Sequence, residues 1–399
     1  MTSDNIRYLV GSNDTLTDRS GWEPYNAIAC EFLNCLSQEL LSDTEAKMYP
    51  DIISFAFWCR KANILKLKDE YAEKHLRLGL GLVFHIAPSN VPINFAFSYA
   101  FSLLAGNSNI VRVPSKAFAQ TEIVCRLIKK LLEISKFKVI ANRNAFVKYD
   151  QDDEITGSFS IQSNARIIWG GDKTIRSVRK LPILDRGIEI AFADRYSFCV
   201  ISAEGILNLS DNDMKKLATG FYNDTYLMDQ NACSSPHLIV WLGDAPGISE
   251  AKNRFWNCVY EETVSKYELA PVNAIDKYTQ LCENAIDLEY ISDFSRHGNY
   301  IYRMRLKDLP ENMHALRGKC GYFYEYNTQD INTVAHIVNN KYQTLTYFGV
   351  DKGMLSGFVM SNGLSGIDRI VPVGSALDIS VIWDGYDLIR SLSRIIDIR

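Results

Sequence analysis

Apolar residues recur at intervals of three and four from Ala27 to Leu41 and again from Ile52 to Leu67, a spacing that predicts helices over the first 70 residues. The pattern then breaks. Leu80 to Ala87 is a short apolar run bounded by Gly79, Gly81 and Pro88, as expected of a strand buried on both faces. Ile93 to Leu104 is apolar on most faces and reads as a helix closed at Ala105-Gly106-Asn107. Strands are expected at Asn109 to Val113, from Ala145 to Val147, at Arg166 to Trp169, at Ile188 to Phe192 and at Phe198 to Ile201. Helices are expected at Phe118 to Ile134, Asp153 to Ser160 and Lys173 to Leu181.

Buried strands alternating with helices predict βα units and a mostly parallel sheet, whose ligands bind beyond the carboxyl ends of the strands. Asn90, Pro114-Ser115 and Gly170-Gly171 all fall at such ends, so one pocket can gather them. From about residue 211 the order restarts. A helix at Asp211 to Met228 leads through a polar loop to the strand Leu238 to Trp241. Helices at Ser249 to Tyr267 and Asn273 to Ile286 follow, with strands at Tyr300 to Arg305, Tyr322 to Tyr326 and Thr344 to Gly349. The segment Ile370 to Arg399 starts like a strand and ends like a helix.

Composition narrows the class. With 47% hydrophobic and 23% charged residues the chain has the balance of a globular protein, and a net charge of −4 gives no basis for nucleic-acid binding. No apolar run is long enough for membrane insertion, and the polar start carries no signal-peptide pattern, so the cytoplasm is the expected compartment. Nine cysteines without C-x-x-C pairs, and six histidines without ligand spacing, predict no metal site. Eight of those cysteines read as small buried hydrophobes in a reducing environment.

The ninth is different. Cys233 stands in Asp229-Gln230-Asn231-Ala232-Cys233-Ser234-Ser235-Pro236-His237, a polar loop between a helix and a strand, where a thiolate can be presented as a nucleophile. Asn90, in Ala87-Pro88-Ser89-Asn90-Val91-Pro92, offers a side-chain amide that can donate to an oxyanion. Together they suggest thioester chemistry at a carbonyl carbon. His237 reads as the start of a strand rather than as a partner of the thiol.

These segments resemble the aldehyde dehydrogenase superfamily and, within it, the LuxC-type acyl-CoA reductases. The resemblance runs from about Gly79 to Arg394. Besides the two segments above it rests on Gly106-Asn107-Ser108-Asn109-Ile110-Val111, Ile168-Trp169-Gly170-Gly171-Asp172, Arg369-Ile370-Val371-Pro372-Val373-Gly374 and Trp383-Asp384-Gly385-Tyr386-Asp387. It implies an α/β fold: N-terminal helices and a Rossmann-like cofactor-binding domain over residues 1–205, with a small oligomerisation arm near 140–165. A catalytic domain over 206–371 would carry the cysteine, and 372–399 would pack back on the first domain. It also implies NADPH-dependent reduction of an acyl-CoA or acyl-protein thioester to an aldehyde through acyl-Cys233, with Asn90 as oxyanion donor. A partner acyl-protein synthetase and a homo-oligomer are further expectations.

Cofactor residues follow from the same resemblance. Gly170 and Gly171 would present backbone N–H groups to a phosphate. Arg112, Ser115 and Lys116 follow the second strand, and Lys116 stands where typical aldehyde dehydrogenases hold a ribose-binding Glu; a cation there favours a 2′-phosphate, hence NADPH. Glu325 is a candidate for the nicotinamide ribose, or else an exposed strand residue. Glu189 lies where hydrolytic members keep a general base, but the local pattern is broken by Ala191-Phe192-Ala193. Phe95, Phe97 and Phe101 are candidates for an acyl channel, with core packing the commoner fate. The competing readings are an aldehyde dehydrogenase or acyl-phosphate reductase on the same fold, and a non-catalytic cofactor- or partner-binding homologue.

Overall fold

The computed structural model describes residues 5–12, 14, 16–89 and 91–399. The chain forms two compact units, Met1–Ala193 with Tyr386–Arg399, and Asp194–Gly385.

Unit 1 is built on a six-stranded sheet. Its strands are β1 (Arg7–Val10), β3 (Leu82–Ile86), β4 (Ser108–Arg112), β5 (Asn144–Lys148), β6 (Ala165–Trp169) and β7 (Ile188–Phe192), and β2 (Leu76–Gly79) lies outside it. The order is β1-β5-β4-β3-β6-β7, parallel except for β1 on the edge. The chain runs outward from β3 through β4 to β5, then returns to the other side of β3 with β6. The switch point therefore lies between β3 and β6, and the turns after Ile86 and Trp169 flank it. Alternate faces of these strands are covered by helices, which explains their unbroken apolar runs.

Helix Asn94–Leu104 is buried along its length. Its aromatics pack in the core: Phe95 on Phe146, Phe97 on Phe55 and Phe101 on Trp58. The predicted helix over 52–67 is two helices, Pro50–Trp58 and Lys61–Tyr71. Residues 140–165, where a small oligomerisation arm was expected, belong to the body of unit 1. They hold β5, paired with both β4 and β1, and helix Asp153–Ile161, whose Phe159 packs on Phe84. The peripheral ribbon is instead β2 paired antiparallel with Ser393–Ile396, a strand where a helical end was expected.

Unit 2 is built on a seven-stranded sheet of β8 (Tyr196–Ser202), β9 (Pro236–Leu242), β10 (Ile291–His297), β11 (Ile301–Leu306), β12 (Tyr322–Thr328), β13 (Tyr342–Phe348) and β14 (Arg369–Pro372). The order is β10-β11-β12-β9-β8-β13-β14, and only β10 is antiparallel. The expected boundary at 205 moves to 193, because β8 sits inside this sheet, hydrogen-bonded to β9 and β13. Residues 372–385 also stay with unit 2, and Tyr386–Arg399 alone return to unit 1.

All nine cysteines are free, but Cys59, Cys125, Cys199 and Cys320 are the buried ones among the eight read as core; Cys282 is exposed on helix Pro271–Asp287. Among the described residues no helix is long and apolar enough to cross a membrane.

Candidate active site

Helix Asp211–Thr225 ends just before the cysteine loop, and two successive residues, Asp229 (φ 50°) and Gln230 (φ 61°), turn the chain in left-handed conformations. That is uncommon for non-glycine residues and needs outside support. Gln230 supplies it. Its side chain is fully buried, donating from Nε2 to the carbonyls of Pro236 and Tyr322 (both 3.0 Å) and accepting at Oε1 from the N–H groups of Gly321 (3.1 Å) and Tyr322 (3.3 Å). The amide thus uses both donors and both lone pairs, and it locks the loop onto the starts of β9 and β12. Asp229 is held by the Tyr267 hydroxyl at 2.5 Å and by the Cys320 N–H at 3.1 Å.

Beyond that clamp, Cys233 is half-buried. Its carbonyl accepts from Ser197 Oγ at 2.7 Å, and the Ser235 hydroxyl donates to the Asp224 carbonyl at 2.7 Å. Burial pushes the thiol up from its ordinary range. The Arg195 backbone N–H and the Arg317 charge pull it down, against Asp194 and Asp384. His237 is no activator. Burial, aided by Arg317, lowers it to about 3, so it is neutral at physiological pH, and its ring stacks on Tyr196 at 5.3 Å.

Asp224 is a buried neighbour of the cysteine loop that sequence reasoning missed. It is buried at the end of its helix, and its carboxylate accepts from the N–H groups of Gly374 (2.7 Å) and Ala376 (2.8 Å). Burial pushes it up to about 7, against those two hydrogen bonds. A second omission is Arg195, whose guanidinium donates to Asp384 (2.7 Å), Asp368 (2.5 Å) and the Tyr342 carbonyl (2.6 Å).

Glu325 requires correction. It is not exposed: only 2% of its surface is accessible. Oε1 accepts from the indole N–H groups of Trp241 (2.9 Å) and Trp256 (2.8 Å), and Oε2 from Lys252 (3.1 Å), with Arg303 at 3.8 Å. Enclosed by two indoles and two cations, the carboxylate serves the sheet interior and offers no face to a ribose. Glu189 is paired on both oxygens, with Oε2 on Arg166 (2.6 Å) and Oε1 on Arg179 (2.6 Å), and two cations so close make it a poor base.

In unit 1 the cofactor-type turns share one edge of the sheet. Ser115 and Lys116 are exposed after β4, while Arg112 lies over the Tyr149 ring at 4.4 Å. Gly171 is exposed and caps helix Asp172–Val178 without a side chain; a Cβ there would meet nothing within 4 Å, so the helix N-terminus is open. The helices after β3 and β4 also begin without side-chain caps, at Ile93 and Phe118. Among the described residues no side chain caps these three first turns, at the edge where the switch point lies. Behind it, buried His85 links the strands, contacting Ser98 Oγ (2.8 Å) and Asn109 Oδ1 (3.0 Å), while Trp169 Nε1 donates to the same Ser98 (3.0 Å). Asn90 lies outside the described residues.

A doubly wound sheet, joined in one chain to a second, mostly parallel sheet, is the fold class of the aldehyde dehydrogenases of solved structure. Solved structures agree on the fold. A salicylaldehyde dehydrogenase from Pseudomonas putida G7 superposes with a TM-score of 0.62 at 13% identity, covering 93% of this chain and 85% of that one. The glyceraldehyde-3-phosphate dehydrogenase GapN from Methanocaldococcus jannaschii DSM 2661, complexed with NADP, gives 0.59 at 14%, over 92% and 86%. Within that class the chain belongs to the acyl-CoA reductase (LuxC) family, an oxidoreductase family whose profile matches residues 63–395. A long-chain acyl-protein thioester reductase of Photorhabdus luminescens is 21% identical over 388 residues, 89% of this chain and 73% of the relative. The same-named protein of Aliivibrio fischeri is 24% identical over 168 residues, 41% of this chain, so the match spans about a third (32%) of that relative's length.

Proposed function

We propose that the chain reduces an acyl-CoA or acyl-protein thioester to the aldehyde with NADPH, through an acyl-Cys233 intermediate. The observation that carries this reading is the half-buried Cys233 thiol on a loop that four Gln230 hydrogen bonds hold rigid. The Cys233 thiolate attacks the thioester carbonyl carbon, a new C–S bond forms, and the carrier thiol departs with a proton. Because one thioester replaces another, the exchange is nearly thermoneutral. Asn90 and the Cys233 backbone N–H would share the oxyanion. When bound, the reduced nicotinamide supplies a hydride, two electrons, to the acyl carbon. Collapse of the resulting thiohemiacetal releases the aldehyde and returns the thiol.

The residues present fit such a cofactor. Uncapped helix N-termini in unit 1 suit a pyrophosphate, and exposed Lys116 beside Ser115 suits a 2′-phosphate. Glu189, immobilised by Arg166 and Arg179, supports reduction over hydrolysis of the acyl-enzyme. A synthetase that loads the acyl group, and a homo-oligomer joined through the ribbon at β2, belong to the same reading; Leu76 and Ile395 stand 60% and 51% exposed on that ribbon. Nine free thiols suit a reducing cytoplasm.

The test is a panel of acyl-CoA chain lengths, with peptide mass spectrometry at Cys233 before reductant and absorbance of NADPH or NADH after it. An acyl adduct on Cys233 that disappears as NADPH is consumed and aldehyde accumulates is the expected result. Absence of an adduct at every chain length would leave a binding protein. Consumption of an acyl phosphate but no thioester would move the chain to the neighbouring reaction.

A further inference from the structure

We propose that Arg195 and Ser197 are positioning residues for the Cys233 nucleophile, locked in place by Asp384 of the Trp383-Asp384-Gly385 turn. The proposal rests on Cys233 being the nucleophile and goes beyond it by assigning work to a turn about 150 residues further along the chain.

The geometry starts at the amino end of β8. Ser197 is fully buried; its hydroxyl donates to the Cys233 carbonyl at 2.7 Å and accepts the Thr344 N–H at 3.1 Å. The cysteine backbone is thereby tied to β8 and β13 at once. Two residues earlier stands Arg195, whose backbone N–H favours the Cys233 thiolate against the effect of burial. A backbone donor steadies a thiolate only while its own peptide is held still.

Here the holding is done by the Arg195 side chain, which makes hydrogen bonds to two carboxylates and one carbonyl. Asp384 is 7% exposed and sits at φ 54°, and its Oδ1 also accepts from Gln343 Nε2 at 3.0 Å. Asp384, Asp368 and Tyr342 thus fix the guanidinium, and the guanidinium fixes the start of the strand whose Ser197 holds the Cys233 carbonyl. The charged groups that act on that sulfur are Asp194, Arg317 and Asp384; Arg195 is paired with Asp368 and Asp384, Arg317 with Asp194, and His237 is neutral.

Two roles for Asp384 predict opposite signs. As a bare negative charge near the sulfur it opposes the thiolate, so removing the charge would lower the pH of half-maximal thiol reactivity. As the anchor of Arg195 it favours the thiolate, so losing the anchor would raise that pH. Asp384→Asn retains an oxygen for Arg195 and Gln343, discards the charge, and suits a left-handed backbone. Asp384→Ala discards both charge and anchor.

The experiment follows the rate of Cys233 alkylation by iodoacetamide against pH, by peptide mass spectrometry on the full chain, with thermal melting as the folding check. The proposal expects Asp384→Ala to shift the midpoint upward by about one pH unit relative to Asp384→Asn. Equal midpoints in the two variants overturn it, because charge alone then accounts for Asp384. If Asp384→Ala does not fold, Ser197→Ala decides. It should lower kcat for an acyl thioester about tenfold with KM unchanged, and an unchanged kcat overturns the proposal. Failure of the nucleophile reading looks different: wild-type Cys233 would not take an acyl group, or Cys233→Ala would keep its activity.

Discussion

Two parallel sheets in this chain offer opposite edges to chemistry. In unit 1 the cofactor-type turns follow β3, β4 and β6, at the carboxyl edge. In unit 2 the cysteine loop precedes β9, and Arg195 precedes β8, at the amino edge. Helix caps explain the contrast. The unit 1 helices after β3, β4 and β6 start at Ile93, Phe118 and Gly171 with no side-chain cap. The elements after β8, β9, β12 and β13 in unit 2 start at Ser202, Asp244, Asp330 and Asp351, each accepting its own helix's N–H. Unit 2 does hold a cavity of about 570 Å³ at its carboxyl edge, but Glu204, Asp330 and Asp351 line it. Among the described residues an anion meets uncapped helix starts after β3, β4 and β6 in unit 1, and side-chain-capped ones after β8, β9, β12 and β13 in unit 2. The general rule that parallel sheets bind at their carboxyl ends therefore needs a second condition, that the helix N-termini there be unfilled.

Substitutions can break this division of labour. The largest expected effect is from Cys233→Ala, which should lower aldehyde formation by at least about a thousandfold while NADPH binding, followed by fluorescence, persists. Loss of both activities together would mean that the units do not divide the work. Next is Glu325→Ala, which leaves Lys252 and Arg303 buried without their carboxylate and should cost about 3–5 kcal/mol in urea unfolding. A residue that served only a ribose hydroxyl would instead spare stability and raise the KM for cofactor.

Asp224 predicts a pH dependence. Its folded-state value of about 7 lies above the ordinary 3.8, so the folded chain binds a proton that the unfolded chain has lost. The associated stability is fully present below about pH 4 and is lost as pH rises through 7, at up to about 1.4 kcal/mol per pH unit inside that window. Asp224→Asn should flatten that slope, and an unchanged slope would assign it to other groups. The smallest effect is from Lys116→Glu, expected to shift the NADPH-to-NADH preference about tenfold toward NADH. Asp351→Ala at the other sheet's carboxyl edge should leave that ratio unchanged.

Strands and helices of the parallel regions were legible because burial on both faces writes long apolar runs. β10, which reads ISDFSRH and lies antiparallel on an edge, carries no such run, and the short edge strand β1 was equally silent. Helix Lys352–Ser361 also escaped detection, since two glycines interrupt its apolar spacing. Cys233 stood out because a polar loop before an apolar strand marks it. Gln230, Asp224 and Arg195 could not be found that way. What makes them matter is contact with residues 92, 150 and 189 positions away, and sequence spacing records only neighbours. Glu325 misled because alternation along an aromatic strand makes a carboxylate look outward-facing. Two tryptophans and a lysine on neighbouring elements reverse that inference.

The ribbon at the margin of unit 1 sets an order of assembly. Arg77 donates to the carbonyls of Arg390 and Ser393, and buried Asn107 donates to the Leu392 carbonyl at 2.9 Å. On an emerging nascent chain those acceptors do not exist until translation has passed residue 393. By then the whole of Asp194–Gly385 has been synthesised and, given room beyond the ribosome, can fold by itself. The half that begins first is finished last. Its β2 edge must wait through the synthesis of residues 80–392 for the strand that covers it.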